Sequence, residues 1–302
     1  MNHAVTIILP NYNGRHLLEA NLPSVLTAAE RSGEAYEVIV VDDCSTDDSV
    51  AMLQAKFPQV RIVCNENNLG FSATCNRGVH SALYPLLCIA NTDVTFTPDY
   101  FVNALQCFDD STIFAVKGPI INYRSNFNDV INTEETSLLY YKRGFMRFNQ
   151  RVEPQPEIFT GNVGGQFLLL GCCFVCDRNM MLALSGFDEI FSPFYWEDAD
   201  LAIRALRKGY RLVYEPKALV YHQTSSTIAN HRSNTRRRLV SIRNKFLFSW
   251  KHLQGTEQWA SHITYTILSL LTRWIVLDWK FYLALAFALH RMYRFRKANT
   301  HA

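Results

Sequence analysis

Two acidic clusters and one further aspartate hold the side chains best suited to chemistry in this sequence. Asp42 and Asp43 follow an apolar run, and a carboxylate there can accept a hydrogen bond from the imide N–H of uracil or thymine. The simpler alternative is that one of them caps the helix that follows. Asp93 ends the segment Asn91-Thr92-Asp93, where an aspartate can bind a divalent cation. Taken alone, such a segment is more often a turn.

A cation at Asp93 would bridge the phosphates of a bound nucleotide. Oxygen ligands and a phosphate-bearing partner favour Mg²⁺ or Mn²⁺ over zinc, and the cation would stabilise a departing diphosphate. His222 follows an apolar run at 218–221 and is a second possible metal ligand. From its position alone, a polar residue at a strand end is the favoured interpretation.

The strongest cluster is Glu197-Asp198, which directly follows an aromatic run from 191 to 196. Aromatic walls beside a carboxylate exclude water, and a general base works well in such a pocket. Asp198 is therefore the candidate base, and Glu197 would support it or position an acceptor. Tyr195 and Trp196 are candidates for contact with an acceptor sugar. The alternative is that the acidic residues only cap a helix, since carboxylates are favoured at helix N-termini.

Four apolar runs in the first hundred residues predict the strands that position these side chains. Helical patterns lie between the runs, and each run ends in polar or turn residues. Alternating strands and helices are typical of a parallel sheet, in which ligands bind beyond the carboxyl ends of the strands. The predicted strands are Val5–Leu9, Glu37–Val41, Val60–Val63 and Leu86–Ala90, and the predicted helices span 15–30, 47–56 and 71–83.

The first predicted strand runs into Pro10, Asn11 and Tyr12, which extends the candidate nucleotide site to its end. Tyr12 is placed to lie against a nucleotide base, although the segment alone would be an ordinary strand-to-helix turn. Ser45 or Thr46 is predicted to cap the second helix.

The second half of the chain is less regular. Residues 120–165 predict a long, partly irregular insertion, the kind of loop that often carries substrate contacts. Order returns with a strand at 166–175, helices at 178–184 and 198–208, and short strands at 211–214 and 218–221. Three cysteines in or next to the first of these strands are predicted to be buried strand residues and not a metal cluster, because no second Cys/His group has matching spacing: Cys172, Cys173 and Cys176.

The charge divides the chain into two parts with different partners. The whole chain carries +3, but residues 231–302 hold 13 Lys and Arg against 2 acidic residues. This basic region is helical in pattern, rich in tryptophan, and has no apolar run of the length that spans a membrane. Basic residues interleaved with Trp and Leu favour an anionic membrane surface over nucleic acid. A helical domain packed on the enzyme or on another subunit is the alternative.

The order and spacing of six segments resemble the family 2 glycosyltransferases, inverting enzymes with the GT-A fold that include many of bacterial cell-surface polysaccharide synthesis. The resemblance covers most of residues 4–222. The matching segments are Val5–Gly14 (VTIILPNYNG), Glu37–Asp47 (EVIVVDDCSTD), Asn68–Gly78 (NLGFSATCNRG), Ile89–Val94 (IANTDV), Gly186–Arg204 (GFDEIFSPFYWEDADLAIR) and Pro216–His222 (PKALVYH).

The resemblance implies a role for each candidate residue. Asp43 would contact the nucleotide base, Asp93 and His222 would bind the metal, and Asp198 would be the base of hexosyl transfer. It also adds donor-binding candidates to those at the ends of the first, second and fourth strands: Asn68, Gly70 and Asn76. Two departures stand out. Asn91 replaces the first aspartate of the family's metal motif, and Cys44 stands where glycine is usual.

The sequence therefore predicts an inverting glycosyltransferase that uses a UDP- or dTDP-linked sugar. A saccharide or lipid-linked glycan is the expected acceptor. The catalytic domain would span 1–230, with a nucleotide-sugar half to about 118 and an acceptor half from 119, and a membrane-associating region would follow at 231–302. The absence of signal-peptide features predicts a cytoplasmic protein, peripheral on the inner face of the cell membrane.

Three other function classes are weaker. A sugar-phosphate nucleotidyltransferase usually has a Gly-rich basic loop after its first strand, where this chain has PNYNG. A dinucleotide oxidoreductase is disfavoured because no G-x-G-x-x-G follows that strand. A non-catalytic membrane-surface protein would use the basic region alone.

Overall fold

The computed structural model describes residues 3–124, 126–134, 136–151, 171–223, 234–275 and 277–299. The first half contains β1 (Val5–Asn11), α1 (Arg15–Arg31), β2 (Tyr36–Asp42), α2 (Ser49–Lys56), β3 (Arg61–Cys64), α3 (Phe71–Ser81), β4 (Leu86–Ala90), β5 (Val94–Phe96), α4 (Tyr100–Leu105), β6 (Ile113–Lys117), β7 (Ile120–Tyr123), β8 (Val130–Glu134), β9 (Thr136–Lys142) and β10 (Phe145–Arg151). The second half contains β11 (Cys173–Asp177), α5 (Arg178–Ala183), α6 (Glu197–Arg207), β12 (Arg211–Tyr214), β13 (Val220–Gln223), α7 (Asn234–His252), α8 (Gly255–Thr272) and α9 (Trp279–Asn299).

A seven-stranded sheet forms the centre of the molecule, in the order β12-β6-β11-β4-β1-β2-β3. Every strand except β11 runs in one direction, and β11 pairs antiparallel with both β4 and β6. The carboxyl ends of β1, β2, β4 and β6 therefore meet at one edge, and β11 begins there. This edge is where ligands bind in open α/β sheets.

A smaller sheet, β5-β13-β7-β8, lies beyond that edge. Its central strand β13 pairs antiparallel with β5 and parallel with β7. In this register His222 lies opposite Val94 on one side and Asn122 on the other. The small sheet thus places a histidine and an amide next to the segment that carries Asp93.

The large sheet separates two hydrophobic cores. Alternate side chains along β1 point to opposite faces, so Ile8 belongs to one core and Ile7 to the other. The core on the Ile8 side also contains Phe246 and Phe248 of α7. Residues 234–252 therefore pack into the catalytic part, although the sequence suggests that they belong to a separate region.

The first four predicted strands and the three helices between them are confirmed, with ends shifted by at most two residues. The predicted cap of α2 is wrong: the helix begins only at Ser49. Ser45 instead bonds Asp42, as described below.

The expectation of an irregular insertion at 120–165 is wrong for the residues that the structure describes there. They form four strands, β7 to β10, and β9 and β10 make a hairpin in which Lys142 pairs with Phe145. The two turn residues Arg143 and Gly144 both have positive φ, 50° and 76°. Such two-residue turns match the twist of the flanking strands. Gly144 suits the turn, whereas nothing in the sequence signals the positive φ of Arg143. Residues 152–170, where the predicted strand at 166–175 begins, lie outside the described residues.

Candidate functional site

The carboxylate of Asp43 holds the loop that precedes α3. Its Oδ1 accepts hydrogen bonds of 2.8 Å from Asn65 Nδ2 and from Leu69 N, and its Oδ2 accepts one of 2.9 Å from Gly70 N. Asn68 Nδ2 also donates to the backbone oxygen of Asp43 over 3.3 Å. Asp43 thus fixes the loop that carries two of the predicted donor-binding residues, Asn68 and Gly70. Contact between Asp43 and a nucleotide base stays a prediction.

Asp42 ties the end of β2 to the end of β1. Its Oδ1 accepts from Asn11 Nδ2 over 2.8 Å and from Ser45 Oγ over 2.6 Å, and its Oδ2 accepts from Ser45 N over 2.9 Å. Cys44 inside this turn has φ = 60°, a conformation that glycine adopts without strain. This geometry explains why glycine is usual at that position.

The remaining donor-binding candidates, which include Pro10, Tyr12, Thr92 and Asn76, differ in their burial and in their contacts. Pro10 pairs with Val41 within the sheet, Tyr12 is half-buried just after β1, and Thr92 is 7% exposed. Asn76 is turned elsewhere, because its side-chain amide exchanges two hydrogen bonds of 2.8 and 2.9 Å with the backbone of Phe187. The structure thus uses Asn76 to join α3 to the segment before the acidic cluster.

The loop before α3, residues 65–70, contacts the loop before Asp198. The latter, residues 191–196, is called the aromatic loop below. Phe71 N donates to Pro193 O over 3.0 Å, and a Cβ on Gly70 would lie 3.0 Å from Pro193 Cα. Gly70 also has φ = 88°. Both the space and the backbone conformation therefore require glycine here, and the two loops are packed at van der Waals distance.

Asp93 and His222 are brought together as the sequence predicts. Asp93 Oδ1 lies 3.4 Å from His222 Nε2, and Asn122 Oδ1 lies 2.7 Å from His222 Nδ1. Burial lowers the pKa of His222, but the carboxylates of Asp93 and Glu134 outweigh it and raise that pKa above its usual value. The protonated, positively charged form of the ring is thus favoured beside these two carboxylates.

These two residues fit a divalent cation that arrives with the donor. Ligand atoms bound to one small octahedral cation lie about 3 Å apart, close to the observed separation of 3.4 Å. Within the described part of the chain, no cluster of three or more His, Cys, Asp or Glu side chains is placed to hold a metal. Two protein ligands suit Mg²⁺ or Mn²⁺ when phosphate oxygens and water supply the rest.

The two residues directly before β11, Gly171 and Cys172, contact both Asp198 and the segment that carries Asp93. Asp198 Oδ2 accepts from Gly171 N over 2.9 Å, and Asp198 Oδ1 accepts from Ala199 N over 2.8 Å. The next residue along, Cys172, accepts from Asn91 N over 2.7 Å. The start of β11 therefore joins the candidate base to the candidate metal segment. Cys172, Cys173 and Cys176 are buried and free, as predicted.

The two carboxyl groups of the acidic cluster have different surroundings. Burial and the charge of Asp198 raise the pKa of Glu197 to about 8. Burial also raises the pKa of Asp198, but hydrogen bonds from Gly171 and Ala199 oppose it, and so does the charge of Lys117. Lys117 ends β6 at the same sheet edge and is only 4% exposed. Lys117 is not among the site residues that the sequence predicts, because a cation at the end of an apolar run does not by itself indicate a buried polar partner.

The aromatic loop has an unusual backbone that α7 holds in place. Tyr195 and Trp196 have φ values of 75° and 81°. Asn244 Nδ2 donates to the oxygens of Phe191, Phe194 and Tyr195 over 2.6 to 2.9 Å. Trp196 is 9% exposed and packs on Phe248, with its Nε1 donating to the backbone of Ser241 over 3.1 Å. Trp196 is therefore largely a packing residue, and its stacking on a sugar stays a prediction.

Asp200 on α6 forms ion pairs with two residues of α7 and so stabilises the packing of the two helices. It is fully buried and forms ion pairs with Arg204 at 2.7 Å, and with Lys251 and His252 at 2.8 Å. Burial disfavours its charge, but the hydrogen bond from His252 and the two cations hold the pKa of Asp200 well below its usual value. Of the two nearby aspartates, Asp200 is fully buried in ion pairs, whereas Asp198 is half-buried and bonds only backbone N–H groups in the contacts described above.

Comparison with known proteins identifies the family of this chain. Glycosyl transferase family 2 matches residues 6–169, and Glycosyl transferase family group 2 matches residues 89–295. A glycosyltransferase of Haemophilus influenzae is 23% identical over 270 residues, covering 86% of this chain and 82% of that protein. An N-acetylglucosaminyl-diphospho-decaprenol L-rhamnosyltransferase of Mycobacterium tuberculosis is 25% identical over 255 residues, covering 75% of this chain and 78% of its own length.

A solved structure has the same fold. A mannosyltransferase from Pyrobaculum calidifontis, in complex with GDP-Man and Mn²⁺, matches with a TM-score of 0.56 at 18% identity, covering 93% of this chain and 73% of that one. The architecture is that of GT-A glycosyltransferases, as the sequence predicts. Because the family matches more than half of the residues, the chain belongs to glycosyl transferase family 2 and is a glycosyltransferase.

Proposed function

We propose that the protein transfers a sugar from a nucleoside-diphosphate sugar to an acceptor hydroxyl with inversion, using Asp198 as the general base. The observation that carries the proposal is the short connection at the start of β11. Gly171 donates to Asp198, and Cys172 accepts from the metal segment at Asn91. This connection supports a base that is near the segment of Asp93 but is not itself a metal ligand, so that it can act on the face opposite the departing diphosphate.

The proton transfer follows from the surroundings of Asp198. Its carboxylate accepts the acceptor's hydroxyl proton as that oxygen attacks the anomeric carbon, and the bond to the donor's diphosphate breaks on the opposite face. One base acting on one face gives a single displacement and an inverted anomeric centre. The raised pKa of Asp198 makes it a stronger base than an exposed aspartate. Glu197 beside it holds its proton near neutral pH, which leaves Asp198 to carry the charge.

The donor would lie along the sheet edge. Asp43 and the loop that it orders would face the nucleotide base, and Asp93 with His222 would hold a divalent cation. When bound, Mg²⁺ or Mn²⁺ neutralises the charge that develops on the departing nucleoside diphosphate. UDP- and dTDP-sugars are proposed because each has an imide N–H for Asp43.

The acceptor is proposed to be a saccharide or a lipid-linked glycan. The mycobacterial relative's name includes a decaprenyl diphosphate acceptor. This chain presents many exposed apolar side chains on α8, on the turn after it and on α9, with Trp274 at 65% and Leu277 at 81% exposure. No described helix is long and apolar enough to cross a bilayer. We therefore propose that residues 255–299 lie on the inner face of the cell membrane, where such an acceptor would be found.

The proposal is tested by incubating the full chain with Mn²⁺, a panel of UDP-, dTDP- and GDP-sugars, and saccharide or polyprenyl-diphosphate acceptors. The expected product is free nucleoside diphosphate together with a glycoside whose anomeric configuration, read by proton NMR, is opposite to that of the donor. Retention of configuration would overturn the single-displacement mechanism. Release of pyrophosphate from a nucleoside triphosphate and a sugar phosphate would favour a nucleotidyltransferase instead.

A further inference from the structure

Hydrogen bonds connect three side chains in series, Glu134, Asn122 and His222, and the last of these is a candidate metal ligand. Glu134 Oε1 accepts from Asn122 Nδ2 over 2.9 Å, and Asn122 Oδ1 lies 2.7 Å from His222 Nδ1. Asn122 is 1% exposed and sits directly opposite His222 in the register of β7 and β13. The imidazole is thus held on one side by a buried amide and faces Asp93 on the other.

The direction of these hydrogen bonds is fixed by the carboxylate at the far end. A carboxylate accepts and does not donate, so Asn122 must turn its NH₂ group towards Glu134. Its oxygen then faces His222 and accepts from Nδ1–H. In the neutral ring, Nε2 is left with a lone pair that points at Asp93, 3.4 Å away. Two electron-pair donors aimed at each other suit a cation between them.

We propose that Asn122 and Glu134 are positioning residues that hold His222 as the Nδ1–H tautomer, with Nε2 presented to the cation shared with Asp93. The proposal rests on the proposed metal site and adds the part of the chain that orients it. Neither residue touches the reacting atoms. Partners of this kind fix the tautomer and ring orientation of a metal-binding histidine, and their loss weakens metal binding about 10- to 100-fold.

Glu134, at the far end of this series of hydrogen bonds, also lies near a buried lysine. Lys117 is buried at the end of β6, and burial lowers its pKa while the nearby charge of Glu134 opposes that effect. Lys117 is thus a second buried polar group near Glu134, besides the amide of Asn122 that donates to it.

The first test reads the tautomer directly and needs no metal. Long-range ¹H–¹⁵N spectra of the histidine-labelled full chain at alkaline pH, with His222→Gln to assign the signal, should show His222 protonated at Nδ1. In Glu134→Gln the amide at 134 can both donate and accept, so Asn122 is free to flip and the spectrum should show a mixture. Protonation at Nε2 in the wild type would overturn the proposal.

The second test measures Mn²⁺ affinity by electron paramagnetic resonance, with Mn²⁺ alone and with UDP present. We expect Glu134→Gln and Asn122→Leu to weaken Mn²⁺ binding about 10-fold or more, with thermal melting used to confirm folding of each variant. Ile131→Ala is the matched control, since Ile131 lies on the same strand β8 and is 46% exposed. Unchanged affinity in both variants would overturn the positioning role. If Asp93→Asn also binds Mn²⁺ like the wild type, the proposed metal site itself is wrong.

Discussion

Glu197 and Asp198 are neighbours at the start of α6, yet the structure gives their carboxyl groups opposite tasks. Glu197 is 7% exposed, and its Oε2 has no hydrogen-bond partner among the residues described. Asp198 is half-buried and accepts two backbone N–H groups. Burial and the neighbouring charge of Asp198 disfavour an ionised Glu197, so the pair should share one negative charge located on Asp198.

Glu197→Gln should change how stability depends on pH. The pKa of Glu197 is raised from 4.5 to about 8 in the folded chain, so folding favours the protonated form. The stability that this form contributes is complete below pH 4.5 and is lost as the pH rises towards and beyond 8. Glutamine stays neutral throughout, so the Tm of the variant should rise relative to that of the wild type by about 6 °C between pH 5 and pH 9, which is the change that a pKa shift from 4.5 to about 8 implies for a chain of 302 residues. If the Tm values of the two proteins change with pH in the same way across that range, Glu197 is not protonated in the folded chain.

The sequence was informative about individual residues mainly where the family resemblance assigned them a role. Asp93 and His222 were predicted as partners through the family resemblance, and they meet at 3.4 Å. Asn76 was predicted to bind the donor, but its amide pairs with the backbone of Phe187, 111 positions away. Asn122 and Lys117 were missed because nothing in their neighbours along the chain signals a buried polar partner.

At the scale of elements, α7 is the part of the fold that sequence patterns assigned least well. Its basic N-terminal turn and its tryptophan favoured a helix on an anionic membrane surface, with packing on the enzyme as the alternative, and Phe246 and Phe248 of this helix lie in the core. The first four strands were predictable because a helical pattern separates each from the next, whereas the strand order and the antiparallel β11 were not predicted. The contact between α7 and the aromatic loop links residues about 50 positions apart, and periodicity alone carries no information about it.

Asn244→Ala tests whether α7 positions the base. The substitution removes a donor from three backbone oxygens of the aromatic loop, and leaving buried carbonyls unpaired costs about 1–3 kcal/mol. We expect a lower Tm and, because a misplaced base slows the chemical step, a fall in kcat of about 10-fold or more with little change in donor KM. Ser241→Ala is the control, since Trp196 bonds the backbone oxygen of that residue and not its side chain. A variant that loses stability but keeps full kcat would show that α7 only supports the fold.

For the whole molecule, the basic and apolar surfaces occur in the same region. Residues 231–302 hold 13 of the 30 Lys and Arg residues and 2 of the 27 acidic ones. Several of the most exposed large hydrophobic side chains lie around the turn between α8 and α9: Leu271, Trp274, Ile275, Leu277 and Trp279. Apolar side chains flanked by cations are the composition of a surface that binds anionic lipid.

Vesicle binding tests this surface. The full chain should sediment with vesicles containing phosphatidylglycerol and much less with pure phosphatidylcholine, and added salt should reduce the binding. Replacing both Trp274 and Leu277 with serine should weaken binding about 10-fold or more, because each buried side chain contributes about 1.5–3 kcal/mol. Transfer to a soluble acceptor should be unaffected. Leu83→Ser is the control, since Leu83 is 71% exposed outside this region; equal loss in the control would contradict a defined membrane surface.

The central claim, that Asp198 is the base, is tested most directly by Asp198→Asn. Asparagine keeps the shape of the side chain but cannot take the acceptor proton, so transfer should fall about 10²- to 10⁴-fold. Donor affinity, measured by calorimetry with the nucleoside-diphosphate sugar that the wild type uses and Mn²⁺, should stay within about threefold, because Asp198 lies outside the metal pair. Turnover near that of the wild type would contradict the account.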